Sequence, residues 1–181
     1  MVSAIQDPFS LAQIVGYVAT VIGVIGFSQH DDSKMRLYVF VMGLTLVVHF
    51  FLLGAFTATL AAFLAASRVG LSMIPRLRQN PHPIAISYVL MTVLMGLYLY
   101  ERPLDIFPLF ASMMGIYGFF YCEGIRMRVI LFFGGGFWLT HNVLAMSYGP
   151  SVMEVFILVS NARTIMAMKK GAKKPPLTES L

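Results

Sequence analysis

The chain has 181 residues, 58% of them hydrophobic and 12% charged, and carries a net charge of +5. Soluble domains are about 45–50% apolar and about 25% charged, so these proportions exclude an ordinary soluble domain and indicate an integral membrane protein. Cys122 is the single cysteine, which excludes a disulfide framework and a multi-cysteine metal site.

Residues 1–9 contain Asp7 and no lysine or arginine. They lack the positive region of a signal peptide and read as an extracytoplasmic N-terminus. Apolar runs of spanning length follow at 10–28, 37–54, 57–74, 84–100, 106–122, 129–148 and 152–168. Gly54-Ala55-Phe56 separates the second run from the third, and Gly149-Pro150-Ser151 separates the sixth from the seventh. Glycine and proline at these places predict two tight hairpins. Ala58, Ala62 and Ala66 form a small-residue face for close helix packing on the third run. Pro108 is expected to kink the fifth run, and Gly134-Gly135-Gly136 in the sixth reads as a packing face, a kink or a hinge. The tail, 169–181, holds Lys169, Lys170, Lys173, Lys174, Pro175 and Pro176. It reads as disordered and basic, with lysines suited to anionic lipid.

With seven spans, Lys34, Arg36, Arg76, Arg78, Arg126, Arg128 and the four tail lysines all fall on one side, and Arg102 alone falls on the other. The positive-inside rule then places the N-terminus outside and the C-terminus in the cytoplasm. The basic charge is therefore a topology signal and not a nucleic-acid surface.

The halves of the chain repeat. Met35-Arg36 recurs as Met127-Arg128, and Gly23, Phe27, Gly43 and His49 recur as Gly115, Phe119, Gly135 and His141, all offset by 92 residues. A fixed period dictates architecture. Three helices form an odd unit, so a fourth, inverting span lets the second unit point the same way as the first. The expected fold is all-α, with seven transmembrane helices as two parallel three-helix bundles (10–75 and 106–168) and a linker region at 76–105 containing helix four.

Ionisable groups at membrane depth are functional candidates, because each is costly unless it faces protein or water. They are His49, Arg68, His141, Glu154 and Arg163, with Asn142, Asn161, Ser67 and Thr140 as uncharged donors and acceptors nearby. Arg68 and Arg163 lie at similar depth in the third and seventh spans. As a pair near the axis they would suit a carboxylate or phosphate; as single residues they read as snorkelling anchors. His49 and His141 lie toward the outer ends, at the depth of Glu154. They read either as neutral rings bonded to a neighbouring helix or as pH-responsive gating or proton-coupling groups. Trp138 lies one turn from His141, lining a cavity or packing.

The stretches Gly16-Tyr17-Val18-Ala19 to Phe27-Ser28-Gln29, His49-Phe50-Phe51-Leu52-Leu53-Gly54 and Trp138-Leu139-Thr140-His141-Asn142, with Ser67-Arg68 and Asn161-Ala162-Arg163, resemble the YgjV-type bacterial inner-membrane proteins. Through them the chain resembles the SWEET/PQ-loop superfamily, which implies the same arrangement of two parallel three-helix bundles joined by an inverting helix. The Pro-Gln pair that ends the first helix of a bundle in that superfamily is reduced here to Gln29, and the second copy has Phe120-Tyr121-Cys122.

The expected function is transport of a small polar or anionic solute across the inner membrane by alternating access. Arg68, Arg163, Asn161, Ser67, Trp138 and Asn142 would contact the solute, and His49, His141 and Glu154 would gate or couple protons. The alternative is a membrane receptor that binds a carboxylate- or phosphate-bearing ligand in a pH-dependent way. No nucleophile–base pair is legible, so the chain is not read as an enzyme. No cofactor, metal or nucleic-acid partner is expected, and both monomer and homo-oligomer remain open.

Overall fold

A computed structural model of the chain describes residues 9–99 and 103–172. Its eight helices are α1 (Leu11–Ser28), α2 (Asp32–Leu52), α3 (Phe56–Ser72), α4 (Pro75–Gln79), α5 (His82–Leu99), α6 (Ile106–Tyr121), α7 (Gly124–Leu144) and α8 (Tyr148–Ala172), with a 3₁₀ turn at Pro103–Asp105. No strand occurs among the described residues.

Local chemistry sets the helix ends. Ser10 and Asp31 cap α1 and α2 by accepting from the backbone N–H groups of Gln13 and Lys34, which satisfies donors that a helix start leaves orphaned. Gly54 closes α2 at φ +70°, and Gly124 opens α7 at φ +57°, conformations that side chains strain. The α7–α8 turn departs from the expected hairpin. It lies at 145–147, with Met146 at φ 56°, and Gly149-Pro150 forms the first turn of α8. Proline lacks only an N–H that the first turn leaves unbonded anyway, so it starts this helix instead of breaking one. Pro108 likewise sits in the first turn of α6 and kinks nothing. Lys169 and Lys170 belong to α8, not to a disordered tail; cations suit the last turn of a helix. Residues 1–8 and 173–181 of the expected termini lie outside the described residues.

Among the described residues, five stretches are long and apolar enough to cross a membrane: Leu11–Ser28, Asp32–Leu52, His82–Leu99, Pro103–Tyr121 and Gly149–Gly171. Helix α3 is apolar but has only 17 residues. Helix α7 is diluted by Arg126, Arg128, His141, Asn142 and four glycines.

Neighbours in sequence pack together, α1 on α2 and α2 on α3, then α6 on α7 and α7 on α8. The two sets meet through α1 against α8 and α3 against α6, while α5 packs on α6. The offset of 92 turns one of these cross-contacts into the other. It also relates buried pairs: Met35 and Met127, Phe27 and Phe119, Val39 and Leu131. These residues join Val69, Cys122 and Ile157 in one apolar cluster shared by both sets. A second cluster, around Tyr88, Ile116 and Phe120, seats α5 beside the α3–α6 contact.

Gly43 and Gly135 are equivalent close approaches. A Cβ on Gly43 would stand 3.1 Å from Ala66 Cα, and one on Gly135 would stand 2.9 Å from Leu158 Cδ2; Ala66 and Leu158 are themselves offset by 92. Gly136 has nothing within 4 Å of such a Cβ. Gly43→Val is therefore expected to force α2 off α3 and cost about 1–3 kcal/mol, a fall of several degrees in thermal melting of the purified protein. Gly136→Ala should melt at or slightly above wild type, by about 0.5–1 kcal/mol of recovered helix propensity. Equal melting of the two variants would contradict this packing.

Candidate functional site

The most ordered polar chemistry lies at the basic end, where the two helix sets exchange arginines. Arg36, in the second turn of α2, is 2% exposed. Its Nη1 donates to the Phe119 carbonyl and to Ser72 Oγ at 3.1 Å, and its Nη2 donates to the Cys122 carbonyl at 3.0 Å. The guanidinium also lies over the Phe119 ring at 5.8 Å. Arg128, its counterpart in α7, is fully buried. Its Nη2 donates to the carbonyls of Gln29 at 2.8 Å and His30 at 3.2 Å. Its Nη1 meets Asp32 Oδ1 at 2.5 Å and the Gly124 carbonyl at 3.0 Å. Each arginine thus crosses to the other set and bonds the carbonyls that end that set's first helix. Those carbonyls have no intrahelical partner, and the helix dipole favours a cation there.

The exchange is symmetric in its cations and asymmetric in its anion. Asp32 takes Arg128 on one oxygen and the Gly124 N–H, at 2.6 Å, on the other. The residue equivalent to Asp32 is Gly124, so Arg36 receives no matching carboxylate and relies on carbonyls and Ser72. Thr164, the equivalent of Ser72, donates to the Phe27 carbonyl at 2.8 Å. Ser28 and Ser160 complete the α1–α8 contact at 2.7 Å.

Arg68 of α3 crosses to α6, where Nη1 donates to the Ser112 carbonyl at 3.2 Å. Its guanidinium lies against Gly115, where a Cβ would stand 2.6 Å from Nη2. Its Nε is buried without a partner. Ser67 turns instead to α5, bonding Tyr88 Oη at 2.7 Å. Asn161 is 1% exposed; its Nδ2 donates to the Arg128 carbonyl at 3.0 Å, and its Oδ1 has no partner. Arg163 is exposed on α8 and opens onto a groove against α1. Arg68 and Arg163 therefore do not come together. They stand at the α3–α6 and α8–α1 contacts, which the repeat relates as opposite sides of the assembly.

The histidines hold helices. His49 Nδ1 pairs with the Ala12 carbonyl at 2.7 Å, and His141 Nδ1 with the Leu104 carbonyl at 3.1 Å. Ala12 and Leu104 are also offset by 92. Gly16 leaves room for the His49 ring, since a Cβ there would stand 2.9 Å from Cε1. Glu154 meets neither histidine. It is 9% exposed, faces Gly135, and has no hydrogen-bond or ion-pair partner among the described residues. Trp138 stacks edge-on to His141 at 6.2 Å and is partly exposed. Asn142 lies half-buried near the end of α7, its backbone carbonyl accepting from the Ser147 N–H.

Sequence reasoning used Arg36 and Arg128 as topology charges and as marks of the repeat, not as site residues. The signal for more was present, because Met-Arg is the repeated dipeptide and polar residues that survive in both copies of a repeat serve the shared scaffold. No group of three or more histidine, cysteine, aspartate or glutamate side chains that would suit a metal ion occurs among the described residues.

A profile of the Imp-YgjV family, described as a bacterial inner membrane protein, matches residues 10–172. The inner membrane protein YgjV of Escherichia coli (strain K12) is 29% identical over 164 residues, 91% of this chain and 87% of that protein. No solved structure matches the chain.

Breaking the Asp32–Arg128 pair leaves a largely buried charge behind. Asp32→Asn and Arg128→Gln are each expected to destabilise by about 2–4 kcal/mol. The double variant should recover at least about 1 kcal/mol relative to the sum. Thermal melting of the four proteins in one detergent measures the coupling, and strict additivity would mean the pair does not form.

Proposed function

The chain belongs to the Imp-YgjV family of bacterial inner membrane proteins, and on that premise we propose that it transports a small polar or anionic solute by alternating access. In this reading α1–α3 and α6–α8 are two parallel bundles, α5 is the inverting helix between them, and all seven long helices cross the membrane. The basic end faces the cytoplasm, following the positive-inside rule. The resemblance to the SWEET/PQ-loop superfamily supports the same arrangement.

One observation carries the proposal: the offset of 92 is obeyed by contacts as well as residues. The His49–Ala12 and His141–Leu104 tethers, the α1–α8 and α6–α3 contacts and the crossed arginines all follow it. Parallel repeats that meet through equivalent surfaces form units able to rock about a common axis, with a site between them. Among the described residues the cross-set hydrogen bonds run from the Arg68 level to the basic end, so the two halves are latched there. The histidines gate by keeping each bundle rigid.

The solute site is assigned to the seam at the level of Arg68 and Asn161. Arg68 Nε and Asn161 Oδ1 are each buried without a partner among the described residues, as are the Nε atoms of Arg36, Arg78 and Arg128. A buried donor or acceptor left unpaired is costly, so a solute with complementary groups gains by entering. Glu154, with no counter-charge, is the coupling group, because a carboxyl at membrane depth is stable as the neutral acid or beside a cation.

A panel of carboxylates, phosphates, nucleosides and sugars is expected to contain a compound that raises thermal melting and enters proteoliposomes. Arg68→Ala should remove both effects while the protein still folds. Uptake unchanged in that variant would displace the site, and stabilisation without uptake in any protein would make the chain a receptor.

The latch gives a second measurement. Spin labels at the equivalent exposed positions Lys34 and Arg126, in a Cys122→Ser background, report the separation of the basic ends. Arg36→Gln with Arg128→Gln is expected to populate a longer distance. A distance distribution identical to wild type would sink the rocking motion.

A further inference from the structure

We infer that the groove between α1 and α8 at the basic end is a binding site for one phospholipid with an anionic headgroup. The inference stands apart from the transport reading.

The groove has a volume of about 320 Å³ and is lined by Val24, Ser28, His30, Phe156, Val159, Ser160, Arg163, Thr164 and Ala167. Its polar and apolar residues are segregated. His30 and Ser28 stand where α1 ends, and Arg163 stands across from them on α8. Val24, Phe156 and Val159 continue the groove inward from that mouth, one to two turns deeper. A cationic mouth above an apolar track matches a phosphate above an acyl chain.

Arg163 makes the mouth specific. It is exposed, yet no hydrogen bond or ion pair engages it among the described residues. The hydroxyls offer less. Ser28 and Ser160 bond each other and the Val24 carbonyl, and Thr164 bonds the Phe27 carbonyl. Selectivity must therefore come from Arg163 and His30, both suited to a phosphate oxygen. Lys170 lies seven residues beyond Arg163, two turns along the same face of α8. It extends the positive field toward the headgroup region.

The walls decide between a lipid and a soluble phosphate. On either side of the groove the exposed residues are apolar: Val18, Val21 and Ile25 on α1, and Val152, Val155 and Met166 on α8. In a membrane protein that surface faces hydrocarbon. An occupant needs an apolar body as well as an anionic head, and basic pockets between helices at this depth take such headgroups.

The test is native mass spectrometry of the full-length protein titrated with phosphatidylglycerol, phosphatidylcholine or inorganic phosphate. Wild type should bind one phosphatidylglycerol roughly five- to ten-fold more tightly than phosphatidylcholine, the equivalent of about one to two well-placed cations. Arg163→Gln should bring the two lipids level, and Arg163→Lys should keep part of the preference. Arg76→Gln, an exposed basic-end residue outside the groove, should change nothing. Equal binding of the two lipids by wild type, or a preference retained in Arg163→Gln, would overturn the assignment. Competition by millimolar inorganic phosphate would also overturn it, in favour of a soluble anion. Should Arg163→Gln fail to fold, the wild-type lipid comparison and Arg163→Lys still decide.

Discussion

The arrangement depends on two guanidiniums that each leave their own helix set to bond the other. Arg36 and Arg128 are among the most buried side chains in the molecule. A buried cation without partners is far too costly to keep. Both arginines must therefore find acceptors, and the ends of α6 and α1 supply them. In the assembled form the carbonyls of Phe119, Cys122, Gln29 and His30 take these guanidiniums as partners, which sets where α2 and α7 sit. Hydrogen bonds to charged groups contribute about 1.5–3 kcal/mol each. The crossing thus fixes how the halves face one another more firmly than apolar packing, which tolerates sliding.

The comparison of the two halves separates scaffold from chemistry. Methionines, glycines, histidines and crossing arginines recur at the offset of 92, and all are buried, tightly packed or bonded to backbone. The residues with unusual chemistry do not recur. Arg68 is matched by Ser160, Glu154 by Ala62, Asn161 by Val69, Asp32 by Gly124 and Arg163 by Leu71. A buried, partnerless Nε occurs in both classes, on Arg36 and Arg128 as well as on Arg68, whereas the partnerless Oδ1 of Asn161 and the unpaired carboxyl of Glu154 belong to unmatched positions. A duplicated frame supplies symmetry, and single substitutions within it break that symmetry.

Much of the frame was legible in the sequence because hydropathy and a fixed offset are one-dimensional signals. The positions of the helices, the repeat and the gathering of basic residues at one end needed nothing else. Other features were misread, for different reasons. Gly149-Pro150 looks like a turn, but proline is equally at home in the first turn of a helix, and only Met146 at positive φ shows where the chain reverses. The pairing of Arg68 with Arg163 failed for a different reason. Depth along a span is legible, but direction around the helix and the identity of the facing helix are not. Arg163 is three residues out of register with Arg68, which rotates it by about 300° and moves it about 4.5 Å along the axis. The repeated Met-Arg dipeptide marks the crossed arginines as equivalent, but nothing in a sequence says that an arginine near a helix start will be buried against the end of a distant helix.

The acceptors of the crossing also bear on how the halves can part. Had each arginine been locked by its own buried carboxylate, separation would expose two ion pairs built for a dry interior, and closure would have to strip both of water again. Here the seven hydrogen bonds from the two guanidiniums among the described residues include only one to a carboxylate, and the rest end on carbonyls or the Ser72 hydroxyl. Neutral acceptors at a helix end lose little when water replaces the arginine, because water bonds such carbonyls well. The single carboxylate, Asp32, is 24% exposed and already keeps one foot in solvent. A latch made of helix-end carbonyls holds the closed form through number and geometry, yet each bond has a ready substitute in water. That combination, strong when assembled and inexpensive to hydrate, is what the proposed rocking would require of a reversible contact at the basic end.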